Sequence, residues 1–394
     1  MMTDLTAEQL FEPETVAGLL RHAPDGGVLS VYVDADLGAD PGLQGAAIDI
    51  RNRLAELQRN VEQEGPPERA AALGAALGRL APELERLTSP EESGRGRVLF
   101  AALDGGDAIR FAGQLPVGNR VVLDATAFVH PLLELLDEGR PAGVVLASQD
   151  EARLLEWRLG ELRELDRMAP EITEAPHERS GPVGSSPTER SSTPKREQRA
   201  ARDEVRALRF LDRVGGAATA LAGERGWERV LVSGGDRLTE PLAQALAARL
   251  QDALIRDPRV LAALDQAALS ETVGEQLTAQ HAEHEERLVR DVREAALGRG
   301  TGALGLSDVA GALNEGRVAH LLYDPEVRYQ GSVGADGLLH AGDERAGGAV
   351  TPEPRLTERL VERALETGAR VTPVEGAARA ALSEAEGIAA RLRW

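Results

Sequence analysis

Cysteine is absent from this chain of 394 residues, and aromatic residues are few, with three Trp, three Tyr and five Phe. The absence of cysteine excludes a disulfide framework, a thiolate nucleophile and a cysteine-ligated metal site. No apolar run approaches the ~18 residues that a membrane-spanning helix needs. Residues 1–4 also lack the basic and apolar character of a signal peptide. These absences predict a cytoplasmic protein without membrane contact.

Positive charge is also scarce, because 65 Asp and Glu outnumber 45 Lys and Arg and leave a formal net charge of −20. Lys195 is the only lysine. A body of this charge is repelled by nucleic acid, so any contact with nucleic acid requires a local basic segment. Hydrophobic residues still make up 42 % of the chain, which excludes wholesale disorder.

Strand and helix patterns alternate along most of the chain and predict an α/β (α+β) fold, with mixed sheets flanked by helices. Residues 1–27 have a helical pattern, and residues 328–350 are glycine-rich and irregular. At the carboxyl end, residues 388–394 predict a strand with Ile388, Ala390, Leu392 and Trp394 on one face. The patterns divide the chain into three predicted domains, which are residues 1–115, 116–270 and 271–394.

Three short patterns resemble ligand sites but lack the necessary context. Residues 300–305 match G-x-G-x-x-G, yet a helix precedes them where a dinucleotide fingerprint needs a strand. Residues 233–236 lie between a strand and a helix but lack the Gly-Lys ending of a phosphate loop. His281 and His284 share a helical face, and two imidazoles on one face can supply two ligands of a metal site. Their charged neighbours instead indicate a solvated face, and no third ligand is evident. The sequence therefore predicts no metal and no cofactor.

Residues 177–199, the basic segment, differ from the rest of the chain because their only aliphatic residue is Val183. Their proline, glycine and serine content predicts a flexible loop. Irregular segments beyond ~12–15 residues inside a domain are usually functional or disordered. Both a mobile surface insertion and a basic arm for a phosphate-rich partner remain open. The candidate nucleic-acid-binding residues are Arg179, Arg190, Lys195, Arg196, Arg199 and Arg202.

The order of these parts resembles the archaeo-eukaryotic peptide-chain release factor and Pelota superfamily. The chain is most similar to its bacterial branch, the baeRF families, and within that branch to Vms1-like release factors. The resemblance covers residues 116–394 more strongly than residues 1–115. It depends on residues 119–124 with 131–133, on residues 303–309 with 312–322, and on residues 387–394.

The resemblance implies a central domain with a loop that enters the peptidyl-transferase centre. There, a Gly-Gly-Gln tip, or a related glutamine, positions water to hydrolyse peptidyl-tRNA. The counterpart here is the basic segment, which has no Gly-Gly-Gln and whose only glutamine, Gln198, is the candidate catalytic residue. A glutamine amide orients water and stabilises a developing oxyanion, although it cannot act as a general base.

The resemblance therefore implies a ribosome-associated release or rescue factor. Because the family's codon-reading motifs are not visible in residues 1–115, we expect it to act codon-independently on peptidyl-tRNA of stalled ribosomes. The implied partners are the ribosome, through ribosomal RNA and peptidyl-tRNA, and a translational GTPase. The missing tip leaves hydrolysis open, so one alternative is a non-catalytic factor that occupies the ribosomal A site in hibernation or rescue. Another is a non-ribosomal binding protein that reuses the fold.

Overall fold

The computed structural model describes residues 2–10, 12–36, 42–170, 195–246, 248–298, 300–342 and 350–394. It has a mixed α/β structure, which confirms the predicted fold class. Contacts between Cα atoms divide the chain into a first unit, Met1–Gly139 with Gln276–Trp394, and a second unit, Arg140–Glu275. The three-domain division stays a prediction, and the contacts join the two ends of the chain in one unit. Among the described residues, no helix has the length and apolar character needed to cross a bilayer.

The helices account for most of the predicted helical segments. The α-helices are α1 (Ala7–Leu10), α2 (Pro13–Arg21), α3 (Gly42–Glu64), α4 (Pro67–Leu87), α5 (His130–Glu138), α6 (Lys195–Arg225), α7 (Asp236–Ala245), α8 (Gln266–Gly298), α9 (Leu306–Asn314), α10 (Leu356–Glu366) and α11 (Gly376–Leu382). Short 3-10 helices cover Ala248–Ala253, Leu261–Ala263 and Ser383–Ala385.

The strands of the described residues form four sheets. They are β1 (Met2–Asp4), β2 (Val28–Asp34), β3 (Gly96–Ala102), β4 (Ala108–Gly113), β5 (Arg120–Asp124), β6 (Ala142–Ala147), β7 (Ala152–Arg158), β8 (Glu161–Met168), β9 (Arg229–Ser233), β10 (Leu254–Asp257), β11 (Gly302–Leu304), β12 (Val318–Tyr323), β13 (Gly331–Gly334), β14 (Leu339–Ala341), β15 (Val350–Glu353), β16 (Arg370–Pro373) and β17 (Ile388–Leu392).

In the first unit, one sheet has the spatial order β1-β4-β3-β2-β5. Apolar residues of β2 and β3, such as Val31 and Leu99, pack against Ile50 of α3 and Leu73 of α4. The prediction of a helical pattern throughout residues 1–27 is wrong at its start, because β1 pairs in parallel with the edge strand β4. Strand β5 pairs with β2, so residues 120–124 complete this sheet.

The same unit contains a second sheet of order β11-β17-β12-β16 and a small sheet of order β14-β13-β15. The small sheet lies in the stretch predicted to be irregular. Its Gly331 permits the pairing of β13 with β14, because a Cβ atom there would lie 2.2 Å from the His340 carbonyl oxygen. In β17 the predicted inward residues are buried, but Trp394 is 67 % exposed because the pairing with β12 ends at Leu392.

The second unit is built on a mixed sheet of order β10-β9-β6-β7-β8. Strands β6, β9 and β10 run parallel, while β7 pairs antiparallel with β6 and β8 pairs antiparallel with β7. Helix α6 buries Phe210, Leu211 and Val214 against this sheet. The predicted strands around residues 143–147, 152–157 and 229–233 are confirmed. The predicted helix up to residue 250 is shorter, because α7 ends at Ala245 and a 3-10 helix covers Ala248–Ala253 before β10 pairs with β9.

Candidate functional site

The residues proposed for nucleic-acid binding and catalysis lie in and around the basic segment. Arg179 and Arg190 lie outside the described residues. Helix α6 begins at Lys195, so the last five residues of the predicted loop are helical. Gln198 lies on this helix, together with Lys195, Arg196 and Arg199. The side chains of these four residues lie outside the described part of the structure. Arg202 lies farther along the helix and is exposed.

Positive residues are concentrated in the first two turns of α6. Positions 195, 199 and 202 are separated by four and three residues, so they share one helical face. Cations at a helix N-terminus oppose the helix dipole, at a cost of ~0.3–1 kcal/mol each. Helix stability therefore does not explain their placement.

The two glycine-containing patterns have structural roles. Gly302 lies so close to α8 that an added Cβ atom would be 2.7 Å from the Val292 carbonyl oxygen, and Gly305 has φ +80° before α9. Ser233 is fully buried, donates to the carbonyl of Arg259 at 2.6 Å and accepts the Leu261 amide hydrogen at 3.1 Å. The Ser233 hydroxyl is thus bonded to the loop after β10. Between β9, which ends at Ser233, and α7, which begins at Asp236, lies the expected tight turn.

A second cluster lies in the first unit, where α5 meets α8. His281 and Glu285 are one turn apart on α8, and the distance from His281 Nε2 to Glu285 Oε1 is 3.5 Å. Asp137 of α5 approaches the same nitrogen, with its Oδ2 at 3.6 Å. The three ligand atoms lie within 4.8 Å of one another. The structure thus places Asp137 beside His281 and Glu285, a juxtaposition that was not evident from the sequence.

The interpretation of this part of α8 as a solvated face is wrong at Glu285, which is 4 % exposed. His284 is half-buried and is not among the three clustered residues. Asp137 is also 4 % exposed. It shares the helical face of His130 and Leu133, so the spacing on α5 is a signal of its burial that sequence reasoning missed. Its proximity to α8 has no such local signal.

Asp137 and Glu285 each have one carboxylate oxygen bound by neighbouring groups and the other near His281. The Thr372 hydroxyl donates to Asp137 Oδ1 at 3.4 Å, and Arg370 Nη2 lies 4.0 Å from the same oxygen. The backbone N–H of Glu375 donates to Glu285 Oε2 at 3.3 Å. These contacts from β16 and the start of α11 orient Asp137 Oδ2 and Glu285 Oε1 toward the imidazole.

The cluster opens into a cleft of about 220 Å³. The carboxylates that line it are Glu134, Asp137, Glu138, Glu285, Glu286 and Glu375. We call it the acidic cleft. Burial, and then repulsion from Glu375, raises the pKa of Glu134 to about 7. Burial, and then the negative charge of Glu285, raises the pKa of Glu375. The cleft therefore favours a bound cation over a further anion.

Comparison with known proteins gives one family match. Residues 128–282 match the family described as bacterial archaeo-eukaryotic release factor family 10. This range includes α5, the second unit with its basic segment, and the start of α8 through His281. No curated protein matches the chain.

Several solved structures of translation factors are similar to the chain at low identity. An archaeal termination factor, aRF1, is 17 % identical, with 99 % of both chains covered and a TM-score of 0.26. Archaeal Pelota, from a model of ribosome-bound Pelota and ABCE1, is 15 % identical over 76 % of this chain and 77 % of its own, with a TM-score of 0.41. Saccharomyces cerevisiae Dom34 is 9 % identical over 76 % and 80 %, with a TM-score of 0.42. The family match confirms that the chain, over residues 128–282, resembles the bacterial archaeo-eukaryotic release factors.

Proposed function

We propose that the protein is a ribosome-associated factor of the release-factor type that acts codon-independently on peptidyl-tRNA of stalled ribosomes. The family match over residues 128–282 carries the proposal, because this range contains the whole basic segment. In this proposal the basic segment reaches ribosomal RNA or the acceptor end of the tRNA. A translational GTPase is the proposed delivery partner.

The charge distribution supports such a directed contact. The chain as a whole carries −20, whereas Lys195, Arg196, Arg199 and Arg202 lie together at the start of α6. Phosphate contacts dominate the affinity of proteins for nucleic acid. An acidic body opposes unspecific RNA binding, while one basic segment retains a local site for phosphate.

In the catalytic form of the proposal, Gln198 positions the attacking water. Its amide would hold the water near the ester carbon and donate a hydrogen bond to the developing oxyanion. A non-catalytic form is favoured by a different observation. The basic segment has no Gly-Gly-Gln, and position 198 lies within helix α6 instead of at a loop tip. In that form the protein occupies the A site without hydrolysis.

A peptide-release assay on stalled ribosomes loaded with peptidyl-tRNA tests the proposal. We expect the full-length protein to release peptide at equal rates with different A-site codons, in the presence of a translational GTPase and GTP. Because loss of one transition-state donor typically costs 10²–10³-fold, Gln198→Ala should slow release by at least about tenfold. Gln244→Ala is the matched control, since Gln244 is an exposed helical glutamine of the second unit that bonds to Glu240 at 3.0 Å.

Co-sedimentation with the same ribosomes separates the two forms. Binding by the wild type without peptide release contradicts catalysis and supports A-site occupancy. Release that is equal in wild type and Gln198→Ala removes Gln198 from the mechanism. Absence of both binding and release contradicts any ribosomal role and leaves a binding protein that reuses the fold.

A further inference from the structure

The geometry of the Asp137, His281 and Glu285 cluster matches the requirements of a metal centre. Two ligands bound about 2.1 Å from a tetrahedral ion lie roughly 3.4 Å apart. The distances from His281 Nε2 to the nearest oxygens of Glu285 and Asp137 are 3.5 and 3.6 Å. Ligands at adjacent positions of octahedral Mg²⁺ lie closer, at roughly 3.0 Å. These two distances fit tetrahedral coordination, and the two carboxylate oxygens lie within 4.8 Å of each other.

Hydrogen bonds around the cluster provide independent support. Protein metal ligands are commonly oriented by neighbouring polar groups, which hold one atom of a carboxylate while the other binds the ion. The Thr372 hydroxyl and the Glu375 backbone N–H perform this role for Asp137 and Glu285. The other oxygen of each carboxylate lies within 3.6 Å of the same imidazole nitrogen. Helices α5 and α8 thus bring the three side chains together, while β16 and the residue before α11 hold the carboxylates.

The charge of the site also favours a bound cation. Asp137 and Glu285 have side chains that are only 5 % exposed, and they share the acidic cleft with four other carboxylates. Burial of a charged carboxylate costs free energy unless a positive charge lies close to it. A divalent ion would neutralise both carboxylates, whereas Arg370, whose Nη2 lies 4.0 Å from Asp137 Oδ1, supplies one positive charge.

We propose that Asp137, His281 and Glu285 bind a divalent transition-metal ion, for which Zn²⁺ is the best fit. The imidazole ligand disfavours Ca²⁺ and Mg²⁺, which take oxygen ligands, and the chain offers no thiolate that would favour softer ions. Three protein ligands leave a fourth position, which faces the acidic cleft and would be taken by water. The ion would connect α5 to α8 within the first unit. None of the three residues belongs to the basic segment.

Titration of the full-length protein with Zn²⁺ tests the proposal. After treatment with a chelator and its removal, we expect calorimetry at pH 7 to show one high-affinity Zn²⁺ site per chain. His281→Ala and Glu285→Gln should each weaken binding at least tenfold, the scale on which even outer groups affect metal affinity (about 10–100-fold). His22→Ala is the control, because His22 is an exposed imidazole at the end of α2. It should retain the wild-type affinity.

Two further readouts keep the test independent of folding defects. Zn²⁺ should raise the melting temperature of the wild type and of His22→Ala, with little effect on His281→Ala. Co²⁺ bound to the wild type should show the intense visible absorption of tetrahedral coordination. If His281→Ala does not fold, the near-isosteric Glu285→Gln provides the decision. Equal Zn²⁺ affinity in wild type and Glu285→Gln, no Zn²⁺ binding by the wild type, or binding of Mg²⁺ in preference to Zn²⁺ would overturn the proposal.

Discussion

Single buried polar residues connect parts of the first unit that are far apart in the chain. His130, at the start of α5, is 5 % exposed, and its Nδ1 lies 2.9 Å from the hydroxyl oxygen of Tyr323 on β12. The two rings meet edge to face, with centroids 5.4 Å apart. Burial, reinforced by the charge of Arg120, lowers the pKa of His130 from 6.5 to about 4. The folded protein therefore holds this imidazole neutral at pH 7.

Acid should destabilise the first unit through His130. The pKa of His130 in the folded protein lies below its value in the unfolded chain. The contribution of His130 to the free energy of unfolding is therefore complete above pH 6.5 and is lost as the pH falls toward 4. A shift of this size corresponds to up to about 3 kcal/mol. We expect His130→Asn, which cannot titrate, to lose less free energy of unfolding than the wild type between pH 6.5 and 4. Denaturant unfolding at a series of pH values measures this difference, and parallel curves for the two proteins would contradict it.

At the scale of elements, the second unit depends on the close approach of Trp227 to strand β6. A Cβ atom at Gly143 would lie 2.1 Å from Cε3 of the Trp227 ring. The indole N–H donates to Glu156 Oε1 at 3.1 Å, and Arg225 Nη2 donates to Glu156 Oε2 at 2.7 Å. Trp227, in the turn after α6, therefore contacts β6 at Gly143 and β7 at Glu156. The last residue of α6, Arg225, binds the same Glu156 side chain. The glycine is required because the ring occupies the space of its side chain.

Gly143→Ala should destabilise the second unit. Overpacking of a filled core typically costs about 1–3 kcal/mol, and here both the indole and its hydrogen bond would have to move. Gly216→Ala is the matched control, because Gly216 is exposed on α6 and an added Cβ atom there meets nothing within 4 Å. This control should be neutral or stabilising by up to ~1 kcal/mol. Chemical denaturation measures both effects, and equal stability of the two variants would refute the packing argument.

At the scale of the whole molecule, the main feature is the contrast between a net charge of −20 and one basic segment. The proposed ribosomal contact predicts a specific salt dependence. Removal of each side chain that binds a phosphate should reduce the slope of log affinity against log salt concentration by about 0.7–0.9. A variant with glutamine in place of five basic residues should bind ribosomes more weakly and with a shallower slope. These residues are Arg179, Arg190, Lys195, Arg196 and Arg199.

Ribosome co-sedimentation across a salt series provides the measurement. The control carries five arginine-to-glutamine changes at exposed positions outside the basic segment, so its net charge is the same. Its positions are Arg51, Arg59, Arg237, Arg290 and Arg391. We expect the control to bind ribosomes nearly as the wild type does. Equal weakening in both variants would show that overall charge, and not the basic segment, governs binding.

The linear chain alone was enough to predict the mixed α/β class, most of the helices and strands, and the resemblance to bacterial release factors. These depend on local periodicity and on motif order, as in β6, β9 and β17, and both can be read directly from the amino-acid order. The pairing of β1 with β4, and the meeting of Asp137 with His281 and Glu285, became visible only in the folded structure. Asp137 is far from both in the chain, and hydrophobic spacing indicates which face is buried but not which partner covers it. The candidate metal centre is therefore a product of long-range packing.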